Sequence, residues 1–412
     1  MKRFRPHHLA SSAPLSLAHP FLAGDSLGQR GMLVGSDSAG GLVFFDPFEL
    51  YASRALSGPG VAVMGEIGRG KSSLVKSLVL RQVGTLGRRC VVISPKRGEY
   101  DALAAALGTR PVRLGGGSNA RLNPLDGPDA QARLRAARAV ARASLSRPLS
   151  PAEDAALAAT LGGARAGTIT LPLLVEALLA PRPEVLASRW RDRAQWEAET
   201  RELALSLDRF CRGDAAGVFD ATTRGVDLSA PLVVLDLAAL AERASASILI
   251  STALAGVTAA ISAETDTEHA KRIVVVDEAW RVLPDEHAAE ALLDLSKHAR
   301  SYGVCPVIVM HRASDLAAAG DAGTRLSRIA EGLLADCETR ISFAQPPDQA
   351  AAAAQLLGLP ESAAGVLPRL AVGEAIWRIG QRVLLVRHAL GETERRIVDT
   401  DARMLPAGGV RS

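Results

Sequence analysis

A run of glycines, a lysine and two serines lies between residues 65 and 73, in the order GEIGRGKSS. The first eight residues match the pattern G-x-x-x-x-G-K-[ST] at every specified position. Glycines let the backbone turn tightly and point successive amides at phosphate oxygens, and a following helix adds the positive end of its dipole. The spacing therefore predicts a phosphate-binding loop built from Gly65, Glu66, Ile67, Gly68, Arg69, Gly70, Lys71, Ser72 and Ser73.

Two side chains of this loop suit a nucleoside triphosphate. Lys71 would reach the β- and γ-phosphates, and the Ser72 hydroxyl would coordinate Mg²⁺. The alternative is a plain glycine turn. The context favours the phosphate site, because the apolar run Val61–Met64 predicts a buried strand before the loop and residues 71–83 predict a helix after it. We therefore expect the chain to bind ATP and Mg²⁺.

Two further apolar runs end in an acidic residue. Residues 232–235 are followed by Asp236, and residues 273–276 are followed by the pair Asp277-Glu278. Hydrolysis needs a carboxylate that holds the metal and a base that orients and deprotonates water. We predict that Asp277 holds Mg²⁺ and that Glu278 is the base. Asp236 has no acidic neighbour, and we expect it to cap a turn at the end of its strand.

A histidine follows the next apolar run. Residues 307–310 predict a strand, and His311 stands where that strand ends. A side chain at the tip of this strand can contact the γ-phosphate and report hydrolysis. A histidine taken alone is more often a structural residue, so both interpretations of His311 stay open.

Composition limits the partners and the compartment. The chain has 412 residues and a formal net charge of +4, a mild basic bias that allows a nucleic-acid partner without establishing one. Its four cysteines are scattered and form no CxxC pair, so the sequence predicts neither a zinc site nor a disulfide framework. Reduced thiols favour a cytoplasmic location.

One uncharged segment has the length of a membrane span. Residues 244–263 contain mostly Ala, Ser and Thr, and their few large apolar residues recur at helical spacing. We therefore predict a buried core helix and no intrinsic transmembrane span. A peripheral position at the inner face of the membrane stays open.

The pattern of elements predicts an α/β fold. Strand-like runs alternate with helical segments and are continuously apolar, which is typical of a parallel sheet covered on both faces. We expect an N-terminal segment with short strands (1–57), a core in two parts (58–126 and 231–390), a helical insertion (127–230) and a C-terminal tail (391–412). Residues 375–378 and 382–386 predict a small C-terminal β-hairpin.

Together these motifs resemble the FtsK–HerA superfamily of ring-forming ATPases, and most of all its conjugation and type IV secretion branch. The resemblance covers residues 58–387. It depends on Gly65–Ser72, on VVVDEAW at 274–280, and on ARSYG at 299–303, where Arg300 precedes His311 by eleven positions. The sequence RLNPL at 121–125, followed by a helical insertion, also matches that branch.

The resemblance implies a RecA-like P-loop NTPase core and a homo-hexamer that moves DNA or protein through a central channel. It implies that Arg300 is a finger on the nucleotide of the neighbouring subunit, with Arg340 as the alternative finger. DNA is the expected partner, with a membrane-channel component as a further one, and Lys96, Arg97 and Arg121 are candidate DNA contacts. A slow nucleotide-dependent switch or assembly factor is the alternative function.

Two features depart from that family pattern. His311 stands where the family usually has Gln, which affects how hydrolysis is coupled to motion. In addition, about 57 residues precede the core, whereas secretion ATPases commonly carry a large N-terminal domain.

Overall fold

The structure, a computed structural model, describes residues 31–115, 117–162, 169–242, 246–263, 271–283, 286–311 and 325–399. Eleven strands of these residues form one sheet in the order β2-β1-β11-β10-β9-β3-β8-β7-β4-β6-β5. The strands are β1 Met32–Asp37, β2 Leu42–Phe45, β3 Val61–Met64, β4 Arg89–Ser94, β5 Val112–Arg113, β6 Leu232–Asp236, β7 Arg272–Val276, β8 Val304–Val309, β9 Thr339–Ser342, β10 Glu374–Ile379 and β11 Arg382–His388.

The sheet is parallel over most of its width and antiparallel at one side. Strands β5, β6, β4, β7, β8, β3 and β9 are parallel neighbours in that order. Strands β9, β10, β11, β1 and β2 are joined by antiparallel pairs. The predicted mainly parallel α/β sheet and the predicted C-terminal hairpin, here β10–β11, are both confirmed.

Helices cover both faces of the sheet. They are α1 Pro47–Ala52, α2 Lys71–Gly84, α3 Asp101–Ala106, α4 Ala130–Leu145, α5 Pro151–Gly162, α6 Leu171–Leu179, α7 Pro183–Arg189, α8 Arg193–Arg212, α9 Ala238–Ala241, α10 Ala246–Ala263, α11 Glu286–His298, α12 Arg325–Asp336, α13 Ala350–Leu356, α14 Ala363–Val366 and α15 Glu392–Val398.

The central strands are buried on both sides, which explains their unbroken apolar runs. In β3, Val61 and Val63 pack into the core on the α2 face, whereas Ala62 and Met64 pack into the core on the opposite face. All four are at most 1% exposed. A strand with two buried faces cannot alternate apolar with polar residues.

The described part of the segment between β5 and β6 carries the helices α4–α8. Asp129 and Asp192 are the N-caps of α4 and α8, and their carboxylates accept hydrogen bonds from the amides of Ala132 (2.7 Å) and Gln195 (2.8 Å). The two ends of the segment meet where Arg121 and Arg224 exchange backbone hydrogen bonds of 2.9 and 3.0 Å. The apolar faces of α4–α8 belong to the same buried cluster as one face of the sheet.

The uncharged segment near residue 250 is a core helix. Helix α10 packs between α4 and α11, and Leu249, Ile250 and Leu254 on it are at most 1% exposed. The predicted buried helix is therefore confirmed. Within the described ranges, no helix combines the length and the apolar character that crossing a bilayer demands.

Two elements differ from the sequence-based expectation. Residues 391–412 were expected to be a polar tail, but α15 occupies Glu392–Val398 and packs against α2, where Glu394 pairs with Arg81 at 2.6 Å and Val398 is buried. Strand β1 was not predicted. It contains Gly35, and a Cβ there would collide with the Arg387 carbonyl of β11, so the close pairing requires glycine.

Candidate active site

Strand register brings the predicted site residues to one edge of the sheet. Val63 of β3 pairs with Val309 of β8, and Ile308 of β8 pairs with Val276 of β7. Because these strands are parallel, the segments that leave their carboxyl ends meet at the same edge. The loop after β3, the acids after β7 and His311 after β8 therefore lie side by side.

The loop from Gly65 to Gly70 has the backbone that its glycines were expected to allow. Gly65, Gly68 and Gly70 have φ angles of +149°, +77° and +110°, which side-chain-bearing residues rarely adopt. A Cβ on Gly65 would lie 2.5 Å from the Cβ of Phe343. The glycines thus serve both the turn and the close approach of β9.

The loop offers donors to an anion. Among the described residues, the backbone amides of Ile67, Gly68 and Gly70 find no protein acceptor. Helix α2 begins directly after Gly70, so its first-turn amides and dipole point at the same place. The Lys71 ammonium is buried and donates to the carbonyls of Gly65 and, at 2.7 Å, Glu66. These carbonyls hold it at the loop it was predicted to serve.

Asp277 is buried at the end of β7. It is 2% exposed, and its Oδ2 accepts a hydrogen bond from the Ser94 hydroxyl at 3.1 Å. Burial raises the pKa of Asp277, chiefly because a buried carboxylate loses its hydration. A cation at this position would stabilise the charged form, which is the chemistry expected of a metal ligand.

Glu278 makes an unusually complete set of contacts. Its Oε1 accepts from Lys96 Nζ at 2.5 Å and lies 2.9 Å from His311 Nε2, and its Oε2 accepts from Trp280 Nε1 at 2.7 Å. Burial alone would raise its pKa, but the hydrogen bonds from His311 and Lys96 outweigh burial and lower the pKa of Glu278 to about 2. The carboxylate is therefore charged and accepts from three donors, and Arg281 Nε lies 3.7 Å from its Oε2.

His311 connects the acids to the loop. Its carbonyl accepts from the Gly65 amide at 2.9 Å, while its ring contacts Glu278 and lies 5.7 Å from the Trp280 ring. The residue is thus in contact with both halves of the site, as a sensor requires, and it also has the hydrogen-bond partner of a structural histidine. Residues 312–315 (RASD), which directly follow His311 in the sequence, lie outside the described residues.

The segment after β4 supplies contacts that the sequence did not predict. Lys96 was a candidate DNA contact, yet it pairs with Glu278, and Glu99 pairs with the buried Lys76 of α2 at 2.9 Å. The sequence signal was present, because Ser94 ends a buried strand and Lys96 comes shortly after it, much as Asp277 and Glu278 come after β7. Which strand lies beside β7 was the missing information.

Asp236 has the capping role expected of it. Its two carboxylate oxygens accept from the amides of Ala238 at 2.9 Å and Gly98 at 3.4 Å. Arg121 is similarly occupied within the chain, because it pairs with Asp220 at 3.0 Å and donates to two backbone carbonyls. Arg97 is exposed.

The two candidate finger arginines occupy different places. Arg300 is exposed and precedes β8, so it lies at the opposite edge of the sheet from the phosphate-binding loop. Strand β8 alone spans roughly 17–20 Å at about 3.3 Å per residue. Arg340 is half-buried in β9 and donates to the carbonyls of Cys337 at 3.0 Å and Leu357 at 3.2 Å.

The donor set fits a nucleotide-bound magnesium ion better than a metal held by protein alone. Among the described residues, no three His, Cys, Asp or Glu side chains form a metal-binding group. Mg²⁺ commonly takes one or two carboxylates and completes its octahedron with water and substrate phosphates. Asp277 and the Ser72 hydroxyl would hold it, and the ion would supply charge neutralisation for the phosphates.

Comparison with solved structures shows which fold this is. VirB4 of Thermoanaerobacter pseudethanolicus is similar over 90% of this chain and 99% of its own, with 21% identity and a TM-score of 0.71. The unbound bacterial conjugative coupling protein TrwBΔN70 is similar over 95% and 94%, with 13% identity and a TM-score of 0.54. TrwB in complex with ADP and Mg²⁺ covers 81% and 86%, with 12% identity and a TM-score of 0.52.

No family model matches the sequence, and a search of curated protein sequences gives no significant match. The likeness to solved structures shows that the chain has the fold of VirB4 and TrwB. The RecA-like core expected from the sequence is confirmed by this likeness.

Proposed function

We propose that this chain is a Mg²⁺-dependent ATPase that works as a ring motor of the conjugation and type IV secretion kind, and that it moves DNA or protein through a central channel. The observation that carries the proposal is that the predicted site residues lie at two opposite ends of the parallel strands. Gly65–Ser72, Asp277 and Glu278 share one edge of the sheet, while Arg300 lies at the other. The TrwB structure with ADP and Mg²⁺ supports the choice of ligand.

The residues present account for binding and for activation of water. The loop amides and Lys71 would bind the phosphates, and Ser72 and Asp277 would hold Mg²⁺. Glu278 would orient a water molecule and accept its proton. His311, in contact with Glu278 and with the Gly65 amide, would report whether the γ-phosphate is present.

A neighbouring copy would complete the site. Arg300 cannot serve the loop of its own chain, because the length of strand β8 separates them, but it can reach the nucleotide of an adjacent subunit. Arg340 is a poorer finger, because carbonyls of its own chain hold its guanidinium. Repetition of this contact closes a ring, and we propose a homo-hexamer.

Subunit mixing tests this arrangement. Lys71→Ala removes the phosphate ligand but keeps the finger, and Arg300→Ala does the reverse. Each variant alone is expected to hydrolyse almost no ATP. In an equal mixture of the two, about a quarter of the interfaces would pair an intact loop with an intact finger, so about a quarter of the wild-type rate should return.

The matched control is Lys297→Ala, which removes an exposed cation from the same end of α11. This variant should keep the wild-type rate alone and in mixtures. A mixture of Lys71→Ala and Arg300→Ala that stays inactive, although both chains assemble by light scattering, contradicts a finger in trans.

A slow nucleotide-dependent switch or assembly factor is the second candidate, with helices α4–α8 holding the partner. The complete hydrogen bonding of Glu278 favours it, because a carboxylate with a pKa of about 2 is a weak base. An ATPase assay with and without DNA, at several protein concentrations, separates the two. A motor should be stimulated by DNA and should gain specific activity on assembly, whereas a switch should do neither.

We further propose a cytoplasmic location, peripheral to the membrane if a channel component is the partner. The exposed Arg97 beside the active site is the remaining candidate for DNA contact among the three considered. Arg97→Glu should reduce stimulation by DNA without changing the basal rate. Equal stimulation of both chains would favour a protein substrate.

A further inference from the structure

The Glu278 carboxylate has little room for a water molecule. Lys96, His311 and Trp280 approach its two oxygens within 2.5–2.9 Å, and Glu278 is 4% exposed. A carboxylate oxygen has about two lone-pair positions: Lys96 and His311 fill those of Oε1, while Oε2 accepts from Trp280 and has Arg281 Nε at 3.7 Å. A general base must accept a hydrogen bond from the water it activates. One donor must therefore leave before Glu278 can act.

Two of the three donors are fixed by their surroundings. Trp280 lies two residues after Glu278 in the same short 3₁₀ turn, Ala279–Arg281. His311 is anchored at the end of β8 by its backbone hydrogen bond with Gly65, and its ring lies against Trp280. Movement of either side chain would disturb the turn or the loop.

Lys96 is the donor best able to move. Its flexible side chain is 36% exposed and comes from the segment after β4 rather than from a regular element. An ammonium group is a point charge that can exchange one anionic partner for another. The nearest anion to arrive during the proposed reaction is the γ-phosphate, which must lie beside Glu278 for water to attack it.

We propose that Lys96 is a sensor of the triphosphate: it holds Glu278 in the nucleotide-free chain and passes to the γ-phosphate on binding, which frees Glu278 to activate water. This rests on the proposed binding of ATP at Gly65–Ser72. ADP lacks the γ-phosphate and leaves the Lys96–Glu278 pair in place. The exchange makes no covalent bond and needs no further reactant.

A thermodynamic cycle tests the exchange without hydrolysis. Calorimetry would measure the dissociation constants of Mg²⁺–ADPNP, a non-hydrolysable triphosphate, and of Mg²⁺–ADP for the wild type, Glu278→Gln, Lys96→Met and the double variant. Glu278→Gln removes the competitor for Lys96, so it should tighten ADPNP binding about tenfold where Lys96 is present. It should tighten it no more than about threefold in Lys96→Met, through lost repulsion alone.

Binding of ADP should stay within about twofold across all four chains, because the diphosphate does not engage Lys96. Lys96→Arg keeps the charge and should restore most of the tightening. Arg97→Met is the matched control, since it removes an exposed cation from the neighbouring position and should leave the tenfold effect intact. Thermal unfolding of each variant confirms that the chains are folded.

The outcomes separate this inference from the proposed function. If Glu278→Gln tightens ADPNP equally with and without Lys96, the exchange is wrong while the ATPase proposal stands. If ADP binding shifts as much as ADPNP binding, Lys96 acts only on the structure of the site, and the sensor is also wrong. If the folded wild type binds neither nucleotide, the proposed function fails first.

Discussion

Replacement of Glu278 by glutamine should destabilise the nucleotide-free protein. Removal of an active-site carboxylate often has the opposite effect, because such groups are held in strained or unpaired states. Here Lys96 approaches Oε1 and Trp280 approaches Oε2, and both are donors. However the glutamine amide is turned, its NH₂ group faces one of them. The variant loses an ion pair and gains a conflict between donors.

The size of the effect follows from the pKa of Glu278. A folded-state value of about 2 lies below the ordinary 4.5, so the charged form is stabilised on folding. The gap of about 2.5 pH units corresponds to about 3.4 kcal/mol. Lys96 is 36% exposed and solvent screens its share, so we expect about 1–2 kcal/mol.

The sign of the pH dependence is equally defined. The folded pKa is depressed, so the stabilisation is fully present above about pH 4.5 and is lost as the pH falls toward 2. Urea unfolding without nucleotide at pH 7 should therefore show the full difference between wild type and Glu278→Gln, and the difference should shrink below pH 4.5.

Glu66→Gln is the matched control for this measurement. Glu66 also forms an ion pair, with Arg69 at 2.9 Å, but the side chains of Glu66 and Arg69 are 26% and 36% exposed. Its removal should change the unfolding free energy by less than about 0.5 kcal/mol. A Glu278→Gln chain that is as stable as the wild type, or more stable, would refute the reasoning from the three donors.

Three further predictions concern the loop, the metal ligand and His388, whose Nε2 lies 2.7 Å from the Ser77 hydroxyl of α2. Gly65→Ala places a Cβ 2.5 Å from Phe343 at a φ of +149°, so nucleotide affinity by calorimetry should fall at least about tenfold while the fold persists; unchanged affinity contradicts this. Asp277→Asn should abolish the dependence of nucleotide affinity on Mg²⁺, and a titration with and without a chelator that still shows it would exclude Asp277 as a ligand. Burial, aided by Arg81, lowers the pKa of His388 to about 4, so acidification favours the unfolded chain, which takes up the proton. Between pH 7.5 and 5.0 the unfolding free energy of the wild type should fall by about 2 kcal/mol more than that of His388→Gln. Urea midpoints that fall equally in the two chains would refute this expectation.

The parts of the site that are local in sequence could be predicted. The loop at 65–73 needs particular residues at fixed spacing, and Asp277-Glu278 follow an apolar run that can only be a buried strand. Both signals lie within about ten residues. Strand direction then follows from the alternation of strands and helices, so a shared edge could also be inferred.

The contacts between strands could not be predicted in the same way. Lys96 meets Glu278 because β4 is the neighbour of β7, and the two segments are far apart in the chain. Helix α15 is too short and polar to be recognised alone, and its stability depends on the pairing of Glu394 with Arg81 of α2. In both cases the deciding partner is set by strand order and tertiary packing, which a single sequence does not report.

Two separate restraints act on hydrolysis if both proposals hold. The Lys96–Glu278 pair blocks the base until a triphosphate is bound, and the position of Arg300 leaves the site incomplete until a neighbour is bound. The first depends on nucleotide concentration and the second on protein concentration, so each can be relieved without the other. Lys96→Met should therefore leave the rise of specific activity with protein concentration intact, because the site still lacks its finger in the isolated chain. A Lys96→Met chain whose specific activity no longer depended on protein concentration would mean that the two restraints are one, and that assembly itself moves Lys96.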